Sequence, residues 1–228
     1  MINNGGTLEL HNNAIVTGNT NDGAGGAVIV GQGATFHMHG GTITGNQASN
    51  GGGVHVLRGG TMTMTSGRIE DNVATNNGGG VSVAGETTAG NPGGNFAMSG
   101  NAVIQENITA NNGGGVFVEG GTTAAGAQGG TFTMGDNTII QGNTASTGNG
   151  GGVFVQGGAA VAGALGGAFA MSGGFVYGVN ATSPNIPNTT PGAFTPAAAV
   201  FVGGNGTASF NGTTIPAVSN FTVPPGGF

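Results

Sequence analysis

The chain has no cysteine, no tryptophan and no lysine, and only two arginines, Arg58 and Arg68, among its 228 residues. Without cysteine there is neither a disulfide framework nor a thiolate metal site. Without a basic surface there is no electrostatic footprint for nucleic acid, since phosphate binding draws on many cations. The same shortage argues against docking on anionic lipid. No run of about 18 apolar residues occurs, so no segment reads as a transmembrane helix. The opening MINNGGTLEL does not read as a signal peptide. Charged residues make up only 4%, and the formal net charge is −6. Sparse charge combined with near-neutral hydropathy does not fit the composition of a disordered chain.

What the chain does have is glycine, 54 residues of it, and a repeat. Three short motifs recur in fixed order. The first reads GTLEL, ATFHM, TMTM, NFAM, TFTM and AFAM. The second is an apolar residue, two variable positions and an asparagine, ending at Asn19, Asn46, Asn72, Asn107, Asn143 and Asn180. The third is a glycine cluster followed by Val-x-Val, beginning at Val28, Val54, Val81, Val116, Val153 and Val200. The asparagines are spaced by 27, 26, 35, 36 and 37 residues. The growth comes from one place, just after Val-x-Val, where ETTAGNP, GGTTAAGAQ and GGAAVAGAL are inserted. Insertions confined to one point of a repeat map to one edge of a solenoid.

Phe-x-Met and Val-x-Val alternate with the period of a strand, and no segment of ten residues has a helical period. The expected fold is therefore all-β: a single-stranded parallel β-helix, or β-solenoid, of about six coils with three short strands each. It spans residues 1–215, with a partial seventh copy at Thr207 to Ile215. Stacking aligns Leu8, Phe36, Met62, Phe96, Phe132 and Phe169 in one inner ladder. A second runs Leu10, Met38, Met64, Met98, Met134 and Met171. The asparagine column is expected to be a structural turn ladder, because an amide both donates and accepts. A Pro-rich excursion covers 181–199. A Pro-bounded tail, 216–228, carries a strand-like piece at Phe221 to Val223 and is expected to cap the solenoid or to add a strand to another subunit.

The motifs resemble the β-helical passenger repeats of polymorphic outer membrane proteins and autotransporter adhesins. Gly25-Gly26-Ala27-Val28 matches that family's Gly-Gly-Ala-apolar tetrapeptide, whereas later copies carry Gly for Ala. The Phe-x-x-Asn tetrapeptide has Ile, Val or Tyr in place of Phe. The resemblance covers residues 5 to 202. It implies a right-handed solenoid and a surface-exposed or secreted segment, without the family's translocating barrel.

Several residues invite chemistry. His11 and His39 share one repeat position, and Glu9 and His37 share another, so His11, His37, His39 and Glu9 form a candidate metal corner on the first two coils. The reading of this corner remains that no metal or cofactor is held, because later coils replace these residues. The eight acids include one adjacent pair, Glu70 and Asp71. That pair reads as a solvated edge rather than the acid pair a carbohydrate-active enzyme needs, so no enzyme is expected. Threonine columns suggest an ice-binding face, but they are interrupted; aromatic shelves beside acids would favour glycan. The middle residue of Val-x-Val becomes Phe117, Phe154 and Phe201, an outward apolar stripe that either meets a partner or lies under the insertions. Phe117, Phe154, Phe201, Phe221 and Val223 are the candidate interface residues. The functional expectation is an extracellular or cell-surface structural module, either a fibre or surface-layer subunit associating head-to-tail or an adhesin stalk. The alternative is a binding module for ice or for a host or cell-surface glycan.

Overall fold

A computed structural model describes residues 1–3, 5–159, 163–177, 200–211 and 213–215. Among the described residues the chain forms strands and no helix. The first coil holds β1 (Thr7–Leu10), β2 (Ile15–Thr17), β3 (Thr20–Ala24) and β4 (Val28–Val30). The second holds β5 (Thr35–Met38), β6 (Thr42–Thr44), β7 (Gln47–Asn50) and β8 (Val54–Val56). The third holds β9 (Thr61–Met64), β10 (Arg68–Glu70), β11 (Val73–Asn77) and β12 (Val81–Val83). The fourth holds β13 (Asn95–Met98), β14 (Val103–Gln105), β15 (Ile108–Thr109) and β16 (Val116–Val118). The fifth holds β17 (Thr131–Met134), β18 (Ile139–Gln141), β19 (Thr144–Ala145) and β20 (Val153–Val155). Then come β21 (Ala168–Met171), β22 (Phe175–Val176), β23 (Val200–Val202), β24 (Thr207–Phe210) and β25 (Thr213–Ile215).

Equivalent strands of successive coils pair in parallel, giving four sheets that run along one axis. The architecture is a parallel β-solenoid. The first sheet (β1, β5, β9, β13, β17, β21, β24, β25) carries the Phe-x-Met motif, and its register sets Phe36 against Met62 and Met98 against Met134. The second sheet (β2, β6, β10, β14, β18, β22) carries the Ile/Val ladder. The fourth (β4, β8, β12, β16, β20, β23) carries Val-x-Val.

The third sheet is an addition to the three strands per coil read from the sequence. It consists of β3, β7, β11, β15 and β19, directly after the asparagine column. Its inward residues are Ala48, Ala74, Thr109 and Ala145, all buried. Its inner residues are small or polar, and the apolar Val73 and Ile108 face outward, so the strand has no inward hydrophobic signature.

Phe36, Phe96, Phe132, Phe169 and the methionines Met38, Met62 and Met64 have essentially no solvent-accessible surface. Consecutive Phe rings stack with centroids 4.8 Å (Phe96–Phe132) and 5.0 Å (Phe132–Phe169) apart. Those spacings are the strand-to-strand distance of a sheet, so the aromatic stack follows from the backbone ladder.

The asparagine column is the most completely bonded feature. The Asn72 side chain donates from Nδ2 to Asn107 Oδ1 at 3.0 Å, to Ile43 O at 2.9 Å and to Glu70 O at 2.9 Å. Asn72 N also donates to Asn107 Oδ1, at 3.0 Å. Its Oδ1 accepts from Asn46 N at 3.1 Å and from Asn46 Nδ2 at 2.9 Å. The same pattern links Asn19 to Asn46 and Asn107 to Asn143. Asn46, Asn72, Asn107 and Asn143 are buried. The residue before each asparagine takes a left-handed conformation: Gly18, Gly45, Asp71 (φ 55°), Glu106 (φ 57°) and Gly142. Asn180 lies outside the described residues.

Close approach of coils also dictates glycine in the turn before Val-x-Val. A Cβ on Gly79 would stand 2.5 Å from Gly114 O, and one on Gly114 would stand 2.4 Å from Gly151 O. No side chain fits between backbones at that distance.

The insertions build a lobe along one edge. Each closes at its base with a backbone bond: Gly94 N to Ala84 O, Gly130 N to Glu119 O and Gly167 N to Gln156 O, all 2.8 Å. They also stack on one another, through Glu86 N to Gln128 O at 2.8 Å and Gly121 N to Leu165 O at 2.7 Å. Ala127 and Ala164 are buried inside the lobe, so these two are packing residues. At the amino-terminal end Ile2 pairs with Val30 as a parallel bridge. At the other end β24 stacks on β21, and β25 folds back antiparallel on β24. The partial seventh repeat is thus one parallel strand followed by a hairpin that covers its edge.

Replacing Asn72 by Ala removes the acceptor of the Asn46 backbone N–H and the side-chain donor to Ile43 O and Glu70 O in a buried interior. The expected cost is about 3 kcal/mol, seen as a lower urea midpoint. The exposed Asn101→Ala should change stability by less than about 0.5 kcal/mol. Equal effects of the two substitutions would contradict the role given to the column.

Candidate functional site

The histidine corner forms, but as a stack rather than a ligand cage. Glu9 pairs with His37 in register. The His11 and His39 rings stack at 5.1 Å, and those of His37 and His39 at 5.8 Å, both near parallel. His11 Nε2 lies 3.2 Å from Glu9 Oε2, and His37 Nδ1 lies 2.7 Å from Thr63 Oγ1. Rings lying face over face aim their nitrogens sideways rather than at a common point. Among the described residues no group of three or more His, Asp or Glu is arranged to hold a metal ion.

The aromatic column of the fourth sheet is covered rather than exposed. Phe117 and Phe154 keep 5% and 8% of their surface, and Phe201 is half-buried. Their rings stack at 5.7 Å and 5.0 Å. Phe117 and Phe154 therefore offer little open surface, whereas Phe201 keeps more. Phe221 and Val223 lie outside the described residues. In the same column sits His55, which is buried and whose Nδ1 has no hydrogen-bond partner. Burial pushes the His55 imidazole down to about 4.

A second cluster, not singled out by the sequence, lies at the root of the lobe. Glu86 is buried and accepts from Thr87 N at 2.6 Å, Thr88 N at 3.1 Å and Thr87 Oγ1 at 3.1 Å. Arg58 Nη1 stands 3.8 Å from Glu86 Oε1 and donates to Thr87 Oγ1 at 3.1 Å. Burial pushes the Glu86 carboxyl up, but the two backbone donors, the hydroxyl and Arg58 together bring it below the usual carboxylate range. Glu119 accepts from Gly85 N at 3.0 Å. Burial dominates there and raises its carboxyl, with the Gly85 bond and Arg58 opposing. Two acids pushed apart can mark an acid–base pair. Here both carboxylates instead serve backbone N–H groups of the insertions, which is a capping role. The signal for this cluster was available: Arg58 is one of only two cations, and the acids begin the insertions.

A shallow trough of about 420 Å³ runs over the fourth to seventh coils, lined in part by Ser99, Thr133, Asp136, Ser172 and Ser209. Its one carboxylate, Asp136, accepts from Gly100 N at 2.8 Å. Of the adjacent acids, Glu70 accepts from Gln105 Nε2 at 2.7 Å, and Asp71 occupies the left-handed turn.

The threonine columns are interrupted in the register that the structure fixes. One outward column of the first sheet runs Thr7, Thr35, Thr61, Asn95, Thr131, Ala168 and Thr207. The second sheet presents a different surface. Its middle residues are buried and its flanking residues face out, in two columns. One contains Arg68, Val103, Ile139 and Phe175; the other contains Glu70, Gln105 and Gln141, and Tyr177 follows in line.

No family model, no curated protein and no solved structure matches this chain. The likeness to passenger repeats rests on the motif residues alone.

The depressed His55 sets a pH dependence. The unfolded imidazole takes its proton near pH 6.5 and the folded one near 4, so the folded state binds fewer protons in between. Stability is therefore full above pH 6.5 and falls as pH drops toward 4, by about 3 kcal/mol in all. Urea midpoints measured over that range for the parent and for His55→Leu isolate the effect from the carboxylates. The parent should lose more stability than the variant, and parallel curves would contradict the assignment.

Proposed function

We propose that the protein is a structural module of the cell surface or extracellular space, built as a stiff β-solenoid that serves as a fibre subunit or adhesin stalk. The observation supporting this reading is the continuity of its ladders. Phe/Met, Ile/Val, Val-x-Val and asparagine columns run coil after coil, so the interior is given to stacking. Among the described residues, the acids with shifted pKa serve backbone groups rather than a cleft. At the amino-terminal coil β1, β2 and β3 are the outermost strands of their sheets, and an outermost strand carries N–H and C=O groups that pair readily with another strand. Association end to end is the assembly proposed, and a non-closing contact of that kind gives a filament. No helix among the described residues is long and apolar enough to cross a membrane.

A second reading, glycan binding on a flat face, is favoured by one observation. Phe175 and Tyr177 stack at the end of the second sheet, Tyr177 in line with an amide and carboxylate column and Phe175 in line with the apolar column beside it. The broken threonine columns give ice binding no comparable support.

Negative-stain microscopy and light scattering over a concentration series check the assembly. Filaments or end-to-end oligomers that lengthen with concentration are expected. A rod that stays monomeric at the highest concentration would contradict the fibre reading.

A further inference from the structure

We propose that the outward face of the second sheet, over the third to sixth coils, binds a neutral, extended polysaccharide lying along the solenoid axis. The proposal deepens the glycan-binding reading and rests on it. The face has two unlike rails. One is apolar: Val103, Ile139 and Phe175 succeed one another in register. The other is polar and planar: Gln141 Nε2 donates to Gln105 Oε1 at 3.1 Å, and Gln105 Nε2 donates to Glu70 Oε2 at 2.7 Å. Tyr177 continues that rail, with Tyr177 N bonded to Ile140 O. The Phe175 and Tyr177 rings lie 6.0 Å apart and 20° from parallel. All of these side chains are half-buried, held by their neighbours yet accessible.

This pairing matches the two surfaces of a sugar. The C–H faces of a pyranose ring are apolar and rest on aliphatic and aromatic side chains. Its hydroxyl edge needs groups that both donate and accept, which amides and carboxylates supply. Because the Gln–Gln–Glu chain is already hydrogen-bonded, its groups are held in place before a ligand arrives, which lowers the ordering cost of binding. Glu106 and Asp71 border the polar rail at the turn. With acids at that edge and Arg68 the one cation on the face, an anionic polymer is disfavoured. The rails run from Glu70 to Tyr177 over three coil steps, roughly 14 Å at the strand spacing. A ligand must therefore be several sugars long to touch the aromatic pair and the carboxylate together. A single sugar meets only one part of the strip.

The test uses the whole chain and defined probes. Depletion from solution is measured with insoluble cellulose, chitin and β-mannan, and with immobilised polygalacturonate as the anionic arm. Titration with cellohexaose, chitohexaose and mannohexaose follows, each against its monosaccharide. Two variants address the strip independently, Phe175→Ser with Tyr177→Ser, and Gln105→Ala with Gln141→Ala. A third, Val73→Ser with Ile108→Ser, removes exposed apolar residues from the third sheet. Far-ultraviolet circular dichroism confirms that each variant folds. Retention on at least one neutral polymer is expected, with the hexasaccharide binding at least tenfold tighter than its monosaccharide. Each folded strip variant should lose at least tenfold, and the third-sheet variant should be unchanged. The proposal is overturned by no retention on any neutral polymer, by retention on polygalacturonate alone, or by strip variants that bind like the parent. Equal loss in the third-sheet variant also overturns it, since that outcome marks general adhesion. Filaments scored on the same preparations separate the outcomes. Filaments without retention leave the structural role standing and remove the strip.

Discussion

The stack depends on one buried amide column. Asn46, Asn72 and Asn107 each accept two N–H groups from the coil before and donate to two carbonyls and to the next amide, so a coil cannot shift by one residue without breaking several bonds at once. In a low-dielectric interior such a chain is costly to leave partly satisfied. The column therefore sets equivalence between coils, and other features follow from it. The residue before each asparagine must turn left-handed, as glycine or, twice, as an acid. The arc between Phe-x-Met and the asparagine keeps to eight or nine positions, and the insertions ETTAGNP, GGTTAAGAQ and GGAAVAGAL lie beyond Val-x-Val. The Phe stack at 4.8 to 5.0 Å is a consequence of this registry.

The surface continues the same economy of charge. Two further asparagine columns flank the third sheet. Asn50, Asn76 and Asn111 form one, with amide contacts of 3.2 and 2.6 Å. Asn77, Asn112 and Asn149 form the other, through backbone N–H bonds of 3.1 and 2.9 Å. Neutral amides and hydroxyls thus do what Lys, Arg and Glu do on most proteins. Such contacts are weakly screened by salt, unlike exposed ion pairs. A surface of this kind suits an extracellular rod, and its planar polar groups beside Phe175 and Tyr177 suit uncharged sugar chains.

The sequence revealed those parts of the fold in which an inward residue is both large and repeated. The Phe/Met, Ile/Val and Val ladders, the asparagine column and the single insertion point were all legible for that reason. The third sheet was not, since its inner residues Ala48, Ala74 and Ala145 are too small to form a ladder of large apolar side chains. The fate of Phe117 and Phe154 was only half legible. Alternation places them outside the core correctly, but it cannot report what else covers that face. Likewise His11, His37 and His39 were placed together by register, while the stacked orientation of their rings depends on side-chain torsions that spacing does not encode. The anchoring of the lobe by Glu86 and Arg58 was legible only in its ingredients, a rare cation and acids at the insertion starts, since the pairing joins side chains 28 positions apart in neighbouring coils.

The most direct test of the amide column is hydrogen exchange at the asparagine side chains, followed by nuclear magnetic resonance. The Nδ2 protons of Asn46, Asn72 and Asn107 should exchange only through global unfolding, with the same free energy as the backbone amides of Phe96 and Phe132. Those of exposed Asn101 should exchange at once. Rapid exchange at Asn72 and Asn107 in a folded protein would show that the column is not what holds the coils in register.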